Sequence, residues 1–194
     1  MHPLVSHIAL AGVVFAAGAG PLLAQAAPAP ARPDAEVLAR AVREVERLDA
    51  LRSALARGFE VQGVPADRAT FQQVCRPVGQ EAQRIAKENG WFVAQLAEKY
   101  RNPEHALDAE ARGIHELLRA RPDVAGIWMR TEWEGRPGTR YLRRIVVEPA
   151  CLSCHGSKEA RPAFVVEGYP EDRAYGFRVG DLRGLYSVFV PDGP

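Results

Sequence analysis

Charge of one sign is what this chain most plainly lacks. Its 194 residues carry 25 Lys and Arg against 24 Asp and Glu, a formal net charge of +1. No long basic run disturbs that balance, so there is no electrostatic footprint for nucleic acid. Cysteine is scarce too: three residues cannot build the disulfide framework of a small secreted module. Methionine occurs twice, and since one is the initiator, only Met129 is left as a thioether. Beyond residue 31 no apolar stretch is long enough to cross a bilayer, which excludes a multi-pass membrane protein. No glycine-rich phosphate loop follows a strand-like run. Nor does a Ser-His-Asp order, a paired carboxylate or a metal-protease motif rise above chance, so no enzyme is expected.

The N-terminus lacks charge altogether, and the first charged side chain is Arg32. Leu4 to Ala24 is almost wholly Ala, Val, Leu, Ile and Gly, and Ala24-Gln25-Ala26 fits a small-x-small cleavage site. Ala27-Pro28-Ala29-Pro30 continues as an extended spacer. Residues 1–26 therefore read as a signal peptide, or as an uncleaved anchor, since only His2 and His7 occupy the n-region. Residues 27–33 are the Ala/Pro spacer and 34–194 one domain of ordinary globular composition. The expected location is periplasmic.

The domain opens with helical texture. Asp34 is a candidate N-cap for a helix to about Ala56, with an apolar stripe at Leu38, Val42, Val45, Leu48, Leu51 and Leu55. A second helix is predicted from Asp67 to just before Gly90, kinked or broken at Pro77. The third begins near Asp108, buries Ile114, Leu117 and Leu118, and stops before Arg121-Pro122. Residues 126–133 and 139–147 then read as strands flanking the turn-rich 134–138, a predicted hairpin, and 185–190 as a last strand. Helices first and an antiparallel sheet afterwards predict an α+β fold with the helices packed on the sheet.

The chemistry concentrates at Cys151-Leu152-Ser153-Cys154-His155, a C-x-x-C-H run of the kind that attaches haem. Two thiols add across neighbouring vinyl groups of one porphyrin, and two intervening residues let a turn present both sulfurs. The next residue supplies a proximal imidazole. Such attachment is completed outside the cytoplasmic membrane, where the N-terminal segment would send the chain. A redox dithiol would open a helix in a βαβ unit. A disulfide would close a very short loop and leave His155 unexplained. Zinc would need a second close-spaced pair, which Cys75, His105 and His115 do not supply. One covalent haem c on Cys151 and Cys154, with His155 on the iron, is the expected cofactor.

Other residues carry weaker signals. On a helical wheel Cys75 shares its face with Phe71, Val74, Val78, Ala82 and Ile85 and points inward, where a buried structural thiol is the plain reading. Arg101, Arg143, Arg144 and Arg183 are candidate contacts for haem propionates, since guanidinium matches carboxylate bidentately. Each alone reads more simply as a solvated charge. Asp181 and Arg183, set between glycines, suggest a loop braced by side-chain hydrogen bonds.

Five segments, in order, resemble one family. They are Val74-Cys75, Arg101-Asn102-Pro103, Cys151 to Gly156, Tyr169 to Gly176, and Gly180-Asp181-Leu182-Arg183-Gly184. Together they resemble the PAS-like c-type haem sensor domains, exported bacterial domains that stand free or form the extracytoplasmic part of sensor kinases. The stretch 91–100 and the residues after Pro103 depart from that pattern. The resemblance implies a PAS-like antiparallel sheet holding one haem, with Cys75 as second axial ligand beside His155. Met129, His105, His115 and an open or water-bound iron stay as alternatives. A thiolate ligand on such a domain favours sensing of redox state or a small gas through ligand changes; periplasmic electron transfer is the alternative. The 194 residues contain no kinase, cyclase or methyl-accepting segment, so a sensor is expected to act through a separate signalling or redox protein.

Overall fold

Asp34, Asp67 and Asp108 start three helices by one device, a carboxylate accepting a backbone N–H three residues on. The bonds run from Val37 (2.8 Å), Thr70 (2.8 Å) and Ala111 (2.9 Å), and each satisfies a backbone donor that the first helical turn leaves without a partner. The computed structural model describes residues 31–62 and 66–193; the expected signal segment and residues 27–30 of the spacer lie outside them. The helices are α1 (Ala35–Gln62), α2 (Arg68–Asn89) and α3 (Ala109–Ala120). The first extends past the expected end at Ala56. The second runs unbroken through Pro77, so the expected break does not occur. Its Val78, Ala82 and Ile85 are buried just beyond the proline, and that packing outweighs the lost backbone bond. Gly90 ends α2 in the left-handed region (φ 67°), as expected of a C′ residue.

Four strands follow: β1 (Phe92–Leu96), β2 (Gly126–Trp133), β3 (Arg136–Val146) and β4 (Leu182–Pro191). They form one antiparallel sheet in the order β1-β4-β3-β2. The expected hairpin is present, but its connector is shorter than 134–138. Trp133 pairs with Arg136, so Glu134 and Gly135 alone make the turn, both at positive φ (51° and 76°). Two such residues match the twist of the flanking strands. The α1–α2 hairpin covers one face, where Leu48, Val78 and Ile85 meet Tyr186 and Val188. α3 covers the other, where Ala111 and Leu118 meet Leu142 and Leu185. The expected α3 stripe is rotated: Ala111, His115 and Leu118 are buried and Leu117 is 43% exposed. The fold is thus α+β, with helices on both sides of the sheet.

Behind α3, buried Arg140 donates to Asp108 (2.6 and 3.0 Å), Glu110 (3.3 Å) and Ser187 (2.9 Å). Burial alone would raise the Asp108 carboxyl. The Arg140 hydrogen bond, the Ala111 N–H and the Arg140 charge outweigh it and hold the group below its usual range. A carboxylate depressed in the folded state stabilises above its unfolded pKa, and that contribution fades as pH falls through the folded value. The stability gap between wild type and Asp108→Asn should therefore be wide near about pH 7 and narrow progressively as the pH falls below about 4, as read from urea midpoints. A gap that stays constant with pH would refute this assignment.

Candidate functional site

Two short turns follow β3, a 3-10 turn at Pro149–Cys151 and α4 (Leu152–His155). Cys151 and Cys154 are three residues apart on one helical turn, so their side chains share a side. The Cys151 sulfur accepts the Glu148 N–H (3.4 Å) and lies 3.7 Å from an Arg52 nitrogen. Arg52 also donates to Glu148 (3.0 Å) and Asp49 (2.9 Å), anchoring the turn to α1.

His155 is oriented by a backbone carbonyl. Its Nδ1 lies 2.7 Å from the Ala174 oxygen, which makes Nδ1 the donor and leaves Nε2 with a free lone pair. Burial, then the charges of Arg183 and Arg101, hold this imidazole well below its ordinary pKa, in the neutral form a metal requires. The Ala174 carbonyl is itself fixed by Asp172, whose side chain is fully buried. That carboxylate accepts from Arg101 (3.3 Å), Arg161 (3.0 Å) and the Ala174 N–H (3.1 Å). Phe177 N–H closes the loop onto the His155 carbonyl at 3.1 Å. The Tyr169–Gly176 loop thus serves the histidine.

A hollow of about 490 Å³ opens beside this turn, within the range of small-molecule and cofactor sites. Cys75, Cys151, Cys154 and His155 all line it, and all three cysteines are free thiols. Cys75 counts as exposed, but it faces the hollow. Burial, with Cys154 and Cys151 nearby, pushes its thiol up to about 11 against the opposing charges of Arg101 and Arg52. Cys154 is raised likewise, chiefly by burial. Gly184 helps shape the wall: a Cβ there would run into the Leu96 carbonyl oxygen, so glycine alone lets β1 and β4 meet.

The candidate arginines divide. Arg101 and Arg183 line the hollow. Arg183 donates to the Lys99 carbonyl (3.0 Å) and lies 5.3 Å from the Phe177 ring centroid, with no carboxylate in ion-pair range among the described residues. Burial, then the charge of Arg101, lower its pKa to about 10. Arg143 and Arg144 are corrected. Arg143 clamps β3 to α1 through Glu46 (2.9 Å) and Asp49 (2.7 Å). Arg144 donates to the carbonyls of Pro122 (2.5 Å) and Val124 (3.3 Å). Neither lines the hollow.

The alternative ligands divide too. His105 lines the hollow, whereas Met129 packs in the α3 layer and His115 is buried there. His115 is a core histidine of the α3 layer, away from the hollow. Among the described residues no three His, Cys, Asp or Glu side chains are arranged to hold a metal ion by themselves, which leaves the zinc reading without a ligand set. Sequence reasoning passed over Arg52. Its signal was its position four residues after Leu48, a charge on the buried side of an apolar stripe.

A family model described as Tll0287-like matches residues 30–191. The chain belongs to that family. The crystal structure of the cyanobacterial heme-protein Tll0287 is similar at 43% identity and a TM-score of 0.72. The match covers 82% of this chain and 97% of that one. No curated protein matches.

Proposed function

We propose that the chain is an exported mono-haem c protein, its haem bound covalently by Cys151 and Cys154 and held axially by His155 and Cys75. One observation carries the reading: a single hollow gathers all four side chains, Cys75 from α2 and the others from the turn after β3. His155 reaches it with Nδ1 already bonded, so Nε2 is the ligand atom. Arg183, without a carboxylate of its own, suits a propionate, and Arg101 stands beside it. Haem bound there would supply a one-electron centre, and release of the Cys75 sulfur would open it to a diatomic gas. Family membership supports the proposal, since Tll0287 is itself a heme-protein.

We read the sheet as PAS-like and the protein as a periplasmic sensor of redox state or a small gas that acts through a separate protein. Cys75 supports this reading by its position, because α2 packs on both α1 and β1 and any change at that sulfur bears on both. Electron transfer is the second reading, since a one-electron centre bound in the same hollow serves it as well.

Expression with the cytochrome maturation machinery should add the mass of one haem that survives acid–acetone extraction. Colourless protein with free thiols at 151 and 154 would overturn the proposal. Addition of CO or NO to the reduced protein separates the two readings. Immediate binding with a measurable change of fold supports sensing. Indifference to both gases, with rapid electron exchange, supports transfer.

A further inference from the structure

The outer side of α2 borders a second recess. Between it and α5 (Ala163–Gly168) lies a groove of about 640 Å³, again the size of a small-molecule site. Its α2 wall is a stripe at four-residue spacing, Arg68, Gln72, Arg76 and Gln80, which stacks two guanidiniums and two carboxamides on one helix face. Among the described residues no acidic side chain lines the groove. Phe71 and Phe164 add an aromatic wall, their ring centroids 5.5 Å apart.

Both arginines line the groove with no carboxylate in ion-pair range among the described residues. Arg52, Arg101, Arg130, Arg140, Arg143 and Arg161 all pair with carboxylates. Among the described residues Arg76 makes no hydrogen bond or ion pair, and Arg68 has only the Phe164 ring, 6.0 Å from its guanidinium carbon. Unpaired guanidiniums beside flat rings are the complement of a carboxylate carried on a flat apolar body.

We propose that this groove is a carboxylate site for a flat organic acid, and that it communicates with the thiol-lined hollow. The two spaces share Phe71, Gly79, Gln83 and Tyr169 as lining, and Cys75 directly precedes Arg76. At Gly79 the shared wall is bare: a Cβ there would meet nothing within 4 Å. Two sources carry the required chemistry, a free aromatic acid from solution or, on the haem reading above, the haem propionate that Arg183 does not take.

Titration of benzoate by calorimetry, into haem-loaded and haem-free chain, distinguishes them, with benzyl alcohol as the uncharged control. Benzoate binding to the loaded chain, weakened about tenfold or more in Arg76→Ala, assigns the groove to a free acid. Binding to the haem-free chain alone, together with altered propionate NMR shifts in loaded Arg76→Ala, assigns it to the haem. Failure of benzoate to bind either form, equal binding of benzyl alcohol, or affinity unchanged in both Arg76→Ala and Arg68→Ala overturns the proposal. Arg76 is exposed, so its variant should keep the wild-type urea midpoint. A chain that takes up no haem defeats the haem reading, while the haem-free titration still decides the groove.

Discussion

Cys75→Ser in the haem-loaded chain should change the ferric visible spectrum and leave the haem attached. Serine differs from cysteine by one atom, and Cys75 faces the hollow between Val74 and Val78, so the fold has no reason to shift. The attachment thiols, Cys151 and Cys154, sit on a separate turn anchored through Arg52 and Glu148. What the substitution removes is a sulfur donor. A thiolate gives electron density to iron and favours the ferric state, so its loss should raise the reduction potential by on the order of 100 mV, a modest part of the roughly 0.8 V that axial ligands span. Unchanged spectrum and potential would exclude Cys75 from the axial position. His105, which lines the same hollow where Met129 and His115 do not, would then be the residue to replace.

Much of this molecule is written in local signals. The three Asp caps, the left-handed Gly90 and the antiparallel hairpin follow from rules that act over a few residues, and each lies where those rules put it. β1 was not legible, because Phe92 to Leu96 is short and its identity as a strand depends on pairing with β4 nearly a hundred residues later. Pro77 misled as to a break for the opposite reason: there a strong local rule was overridden by packing from Val78 onward. At the site, the spacing of Cys151, Cys154 and His155 announced a unit, and the helix phase of Cys75 aimed it inward. Arg143 and Arg144 could not be excluded from the hollow by sequence, since their partners on α1 and in the 121–124 loop are set by tertiary contacts. The Ala174 carbonyl gave no signal at all. Its role comes from backbone position, and only the neighbouring Asp172 carries a side chain that explains it.

Asp172→Asn is accordingly expected to destabilise the chain by about 3 kcal/mol, because it removes the charge shared by two largely buried guanidiniums. Arg101 and Arg161 are each 12% exposed, and the Asp172 side chain is fully buried between them. Asn keeps the size of the side chain and one acceptor oxygen, so the loss is of charge and not of volume. The exposed pair Arg121–Asp123 supplies the control. At 2.7 Å it is shorter than either ion pair of Asp172, but both partners are more than 60% exposed, and Asp123→Asn should leave the urea midpoint nearly unchanged. A purely structural role for Asp172 would end at the shifted urea midpoint. Its position beside the Ala174 N–H predicts more: with the loop loosened, the 2.7 Å bond from His155 Nδ1 to the Ala174 oxygen weakens, and the imidazole becomes a poorer donor at Nε2. In the haem-loaded chain this should appear as a changed ligand-field spectrum that Asp123→Asn does not produce. Equal destabilisation by the two substitutions would refute the buried-charge argument. A large loss of stability with an unaltered spectrum would separate Asp172 from the orientation of His155.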